Sequence, residues 1–204
     1  HSAGFEAATT AFDLSRDDEL AAFLSGRLAT TGVTEAHLVA AIRHRLDAET
    51  LDWVDADGEI EARIAGPALR ATSRTLGRHW LRAAREIFPG RHTEALSTAI
   101  AGPHQVAAFA ATTAQAEVAA DDAIRIHLHH LVTAVLGAAV KLHGLDPFRA
   151  NALQLEQRRR CEAIVDEATA HAGEPWDQLP APSGPLTEIL AEAHAAADGR
   201  MFRS

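Results

Sequence analysis

The chain has 204 residues, 47% of them hydrophobic and 23% charged, which is enough apolar material for one domain to build a core and too much for disorder. A formal net charge of −9 repels a phosphate backbone, and no stretch is expected to mix basic residues with exposed aromatics as a nucleic-acid reader would, so nucleic acid is not expected as a partner. No apolar run approaches the roughly 20 residues that span a bilayer, and the single cysteine, Cys161, rules out an internal disulfide, a four-cysteine zinc site and a CxxC pair, in keeping with a reducing, cytoplasmic setting.

His1 is not a natural start, which implies that an N-terminal piece precedes this sequence. Prolines and glycines punctuate stretches with 3.6-residue periodicity, because proline suits a first helical turn and glycine supplies a left-handed cap. Helices are expected at 3–12, 16–30, 34–47, 50–65, 67–88, 93–101, 103–117, 121–143, 147–172 and 185–197. Alanine is abundant, tyrosine is absent and no strand-length alternation occurs. The expected fold class is therefore all-α, a single-domain helical bundle over residues 1–204, with a Pro/Ser-rich linker, Leu179 to Pro185, before the last helix.

In chain order, Asp55-Ala56-Asp57-Gly58-Glu59-Ile60 imitates the middle of a calcium loop. Aligning its glycine puts Trp53 and Ile64 at the first and twelfth positions, where carboxylates are required, so the segment reads as an acidic turn between helices. On helix 67–88 the apolar stripe Leu69, Leu76, Trp80, Ala83 and Ile87, with Ser73 among them, is expected to face the core. Arg70, Arg74, Arg78, Arg82 and Arg85 follow one another at spacings of four, four, four and three along another face. That row is either a solvated face or a surface for an acidic partner. Gly77 lies mid-helix, where glycine costs about 1 kcal/mol relative to alanine, so something should pack closely against it.

Helix 121–143 is apolar over more than half its circumference, which makes it the central helix. Its remaining sector holds His127, His130, Ala134, Gly137 and Lys141, a stripe suited either to another backbone or to tight packing inside the monomer. Of the three histidines here only His127 and His130 share a face, half a zinc or nickel site at most. Glu35 and His37, and likewise Glu192 and His194, are two apart and point in different directions. Cys161 sits inside a helix, as packed cysteines do. No phosphate loop, dinucleotide fingerprint, H-E-x-x-H or G-x-S-x-G elbow is present, so the chain is expected not to be an enzyme and any nucleotide chemistry must belong to a partner.

Three motifs carry a resemblance across nearly the whole chain. His1-Ser2-Ala3-Gly4-Phe5-Glu6 looks like an H-S-x-G-[LIF]-E segment, Ser73-Arg74-Thr75-Leu76-Gly77-Arg78 with Leu81-Arg82 is similar to S-x-x-x-G-R-x-L-x-R, and Ala138-Ala139-Val140-Lys141-Leu142 resembles A-A-[VI]-[RK]-L. All three are motifs of the UreF family of urease accessory proteins, and Met201-Phe202-Arg203-Ser204 is similar to the tails of its actinobacterial members. One departure stands out: the family's P-L-G-Q is here Gly144-Leu145-Asp146-Pro147, so no role of that glycine-glutamine pair carries over.

The resemblance implies a non-catalytic maturation factor without a cofactor of its own. It implies a homodimer that binds UreD (also called UreH), recruits the GTPase UreG, and serves nickel delivery to apo-urease, the metal at most passing through the complex transiently. It places contacts with UreD in the N-terminal segment (Ser2, Gly4, Glu6) and the tail (Met201, Phe202, Arg203), and dimer or GTPase contacts at Arg74, Gly77, Arg78 and Lys141. The competing readings are a ligand-sensing helical dimerisation domain with an apolar pocket and a helical metalloenzyme.

Overall fold

A computed structural model of the chain describes residues 4–9 and 11–196. Among them are eleven α-helices and no strand: α1 (Phe5–Thr9), α2 (Asp17–Arg27), α3 (Val33–Asp47), α4 (Trp53–Ala62), α5 (Pro67–Ile87), α6 (Arg91–Ala99), α7 (Gln105–Gln115), α8 (Ala120–His143), α9 (Pro147–Glu156), α10 (Arg158–Ala170) and α11 (Pro185–Ala196). The all-α class is as expected, and the helix starts at Pro67, Pro147 and Pro185 fall where proline at the first position puts them.

Local chemistry explains most of the ends. The Asp146 carboxylate accepts from the backbone N–H groups of Phe148 and Arg149, and Asp52 does the same for Val54 and Asp55, each satisfying orphan donors of a first turn. Gly144 closes α8 in the left-handed region at φ +67°, which a residue with a Cβ rarely adopts. Replacing Asp146 by alanine is expected to lower stability by about 1 kcal/mol, read from the unfolding midpoint.

Several elements differ from the sequence expectation. Gly32 does not interrupt the chain: α2 runs into α3 through a wide π-helical turn, Leu28–Gly32, in which Gly32 is packed against Leu28, Leu128 and Leu131. The expected helix 147–172 breaks at Gln157 into α9 and α10. The acidic segment 55–60 is not a turn but the body of α4, which sets Asp57 and Glu61 one turn apart on the same face.

The core is built on α3, α7 and α8, with α5, α6 and α10 packed around them. The helix buried on all sides is α7, where every residue from Val106 to Thr113 is enclosed; the four alanines of that stretch let neighbouring backbones approach closely. Along α3, residues 36–43 are likewise buried, and Arg43 is held there by Thr113 and the Val118 carbonyl (2.8 Å). By length and composition α8 could cross a membrane, which the sequence reading had missed, yet 56% of its most apolar stretch is buried against the rest of the bundle.

Helix α5 is rolled about a quarter turn from its expected setting. Its buried residues are Gly77, Leu81 and Ala84, which lie on the same side as Arg70 and Arg74. The stripe expected in the core is instead displaced toward the surface: Leu69 and Leu76 are half-buried, Trp80 is half-buried while still packing edge to face on Phe109 and donating to Thr112, Ala83 is exposed, and Ile87 is 66% exposed.

Candidate interaction surfaces

The roll of α5 follows from what it packs on. A Cβ at Gly77 would lie 2.0 Å from the Pro103 carbonyl oxygen and 2.7 Å from the His104 carbonyl carbon, so the expected close neighbour is the connection leading into α7. On the same side the Arg74 guanidinium reaches α4 and that connection at once: Nη2 donates to Glu61 (2.6 Å) and Asp57 (2.9 Å), and Nη1 donates to the Gly102 carbonyl (2.8 Å). Arg70 also pairs with Glu61, at 3.3 Å.

His104 completes this network from the third side and is wholly buried. Its Nε2 lies 2.8 Å from Glu61 and its Nδ1 3.0 Å from the Ser73 hydroxyl, which in turn accepts from the Gln105 N–H. The pattern fits a neutral ring: Nε2–H donates to the carboxylate and the serine O–H donates to Nδ1. Burial, reinforced by the nearby Arg74, holds the His104 pKa below its ordinary value against the pull of Glu61. Burial alone would raise the Glu61 carboxyl, but hydrogen bonds from Arg74 and His104 outweigh it and hold the pKa below the usual range.

Both shifts act in one direction. Groups with lowered folded-state pKa values stabilise fully above their unfolded pKa values and lose that contribution as pH falls through the folded ones. Stability is therefore expected to decline first below about pH 6.5, from His104, and again in the range of Glu61 below about pH 4.5. Urea midpoints measured from pH 8 to 4 should show the first decline, and His104→Gln should flatten it; an equal slope in the variant would remove His104 as its source.

The five-arginine row is thus divided. Arg70 and Arg74 are engaged within the fold, while Arg78, Arg82 and Arg85 are exposed. Arg78 donates to Thr75 and Arg85 to Ser97, beside a shallow depression that also contains Glu86, Glu94 and Ile100. Arg78 and the outward apolar stripe lie on opposite sides of α5, and Phe88 is 42% exposed at the end of the helix.

On α8 the histidines separate as their spacing requires. His127 is buried and its Nε2 meets Glu35 of α3 at 2.8 Å, His129 contacts Gln154, and His130 lies against Trp80 and Phe109. Among the described residues no three metal-ligating side chains converge. Lys141 and Gly137 are exposed, with open space over Gly137. No local spacing pairs His127 with Glu35, which lies 92 residues away.

At the N-terminus, Gly4 is buried at φ +83°, next to the Thr187 side chain. Glu6 sits 3.4 Å from His194 of α11, with its side chain only 13% exposed, and Phe5 is fully buried. Ser2, Met201, Phe202 and Arg203 lie outside the described residues.

The UreF family profile matches residues 14–158. The urease accessory protein UreF of Mycobacterium sp. (strain JLS) is 34% identical over 204 residues, covering all of this chain and 90% of that protein. This chain belongs to the UreF family. The urease accessory proteins UreF of Mycobacterium tuberculosis (strain ATCC 25618 / H37Rv) and Mycolicibacterium vanbaalenii are 33% and 30% identical, covering 95% and 100% of this chain and 85% and 90% of theirs. Membership gives the UreF-family chain a non-catalytic role in urease maturation, alongside other accessory proteins, and decides against the metalloenzyme reading.

Proposed function

We propose that this chain is a cytoplasmic scaffold of nickel insertion: a homodimer that binds UreD/UreH, recruits and regulates the GTPase UreG, and so serves apo-urease. It holds no cofactor of its own, and nickel passes through the complex only transiently. The observation that carries the reading is the setting of α5, which exposes Arg78, Arg82 and Arg85 on one side and Ala83 and Ile87, with half-buried Trp80, on the opposite side, Phe88 being 42% exposed at the helix end. Arginine on one face and aromatic and aliphatic side chains on the other are residue types favoured at protein interfaces, and an exposed apolar strip marks a docking surface. The absence of a phosphate loop from the sequence agrees with this reading, in which the nucleotide chemistry is UreG's.

The experiment is co-purification with UreD and UreG homologues, paired with urease activation. Arg78→Ala and Lys141→Ala change exposed side chains and should alter stability by less than about 0.5 kcal/mol. Each is expected to lower recovery of the complex and activation of urease; unchanged recovery and activation would remove that residue as a contact.

A further inference from the structure

A groove of about 710 Å³ runs between the π-helical turn, α3, α5, α8 and the start of α11. That volume lies within the range of small-molecule sites. Its walls are apolar along Leu38, Leu76, Trp80 and Ala134, and its floor includes Arg27.

Arg27 is the anomaly. It is only 8% exposed, its Nε is buried without a partner, and among the described residues its guanidinium has neither a hydrogen bond nor an ion pair. Arg43 and Arg63 also have a buried Nε without a partner, but each of the other enclosed arginines makes at least one hydrogen bond: Arg43 donates to the Val118 carbonyl, Arg45 to that of Glu174 and Arg63 to that of Trp176. Glu35 is the nearest counter-charge, but its carboxylate is taken up by His127. A buried guanidinium keeps its charge and its five donors, and leaving them unanswered costs stability. The edge of Arg27 that remains open lines the groove.

We infer that the groove is a binding site for a small apolar monocarboxylate, its carboxylate pairing with Arg27 and its stem lying along Leu38, Leu76, Trp80 and Ala134. The fork of a guanidinium matches a carboxylate in two parallel hydrogen bonds. Arg63 also lines the groove but is paired with Glu59, so of the two arginines there only Arg27 is without a partner among the described residues, which suits a ligand carrying a single negative charge. The groove shares Trp80 with the surface proposed above, whereas Arg27 belongs to the groove alone.

The test uses the full chain and two probes of equal stem length, decanoate and decan-1-ol, followed by isothermal titration. Decanoate should bind saturably, one per chain and about tenfold or more tighter than decanol, as a hydrogen-bonded charge requires. Arg27→Leu should abolish that preference, and Ala134→Trp, which fills the groove from an accessible wall, should abolish binding of both probes while leaving the thermal midpoint near that of the wild type. Equal affinity for the two probes overturns the inference, as does a preference that survives Arg27→Leu. If Arg27→Leu fails to fold, Ala134→Trp decides: decanoate bound as tightly as by the wild type places it elsewhere and overturns the site.

Discussion

Replacing Gly77 by alanine should lower the stability of the fold by about 3 kcal/mol, the upper part of the range for overpacking. On an exposed helix the same substitution is stabilising by about 1 kcal/mol, because alanine is the better helix former. The sign reverses here because the added methyl would sit 2.0 Å from the Pro103 carbonyl oxygen and 2.9 Å from the Gln105 nitrogen. Those are backbone atoms at the entrance to α7, which cannot rotate aside as a side chain would. Relief therefore requires α5 to separate from α7, and with that His104 is drawn away from Ser73 and Glu61. Urea unfolding followed by circular dichroism measures the change. A variant as stable as the wild type would mean that α5 and the start of α7 are not in contact.

The second large effect is expected at Arg74. Arg74→Met keeps the aliphatic stem and removes the charge, leaving Asp57, with its side chain 13% exposed, without its ion-pair partner and Glu61 with only Arg70 and His104. Breaking a buried pair costs about 3–5 kcal/mol. Because the Arg74 side chain is itself 28% exposed, solvent screening reduces the expected loss to about 2 kcal/mol. A double-mutant cycle with Asp57→Asn isolates the pair, and a coupling indistinguishable from zero would remove Asp57 as the partner. The prediction also bears on interface mapping. A complex lost in Arg74 variants would report a loosened α4–α5–α7 junction, whereas one lost in Arg78 variants would report a contact.

How far these features could be read from the sequence depended on how local their causes are. The starts at Pro67, Pro147 and Pro185, the cap at Asp146 and the close neighbour of Gly77 all depend on a residue and its immediate backbone, and they emerged. The break at Gln157 carries neither glycine nor proline, so nothing local announced it. Gly32 has the usual look of a helix end, but packing against Leu128 and Leu131 keeps it helical, as tertiary context routinely overrides propensity. The setting of α5 was misjudged because periodicity selects the most apolar face. Its actual orientation is imposed by the close approach at Gly77 and by Arg74 reaching Asp57 and Glu61, 17 and 13 residues away. The partner-facing residues were named from family motifs, and of these Gly77 and Arg74 turn out to be tied into the junction, while Arg78 and Lys141 lie on the surface. Arg27 had no sequence signal: its lack of a partner is a property of the space around it.

The outward roll of α5 also has a consequence for how the molecule is made. A newly synthesised copy reaches its final fold with Ile87 and Phe88 still wetted, so it emerges from the ribosome prone to stick to whatever apolar surface it meets first. Its yield in a cell then depends on stoichiometry. Under the proposed function, a copy produced in excess of the partners that dock on that ridge should aggregate or be degraded, and one produced alongside them should persist.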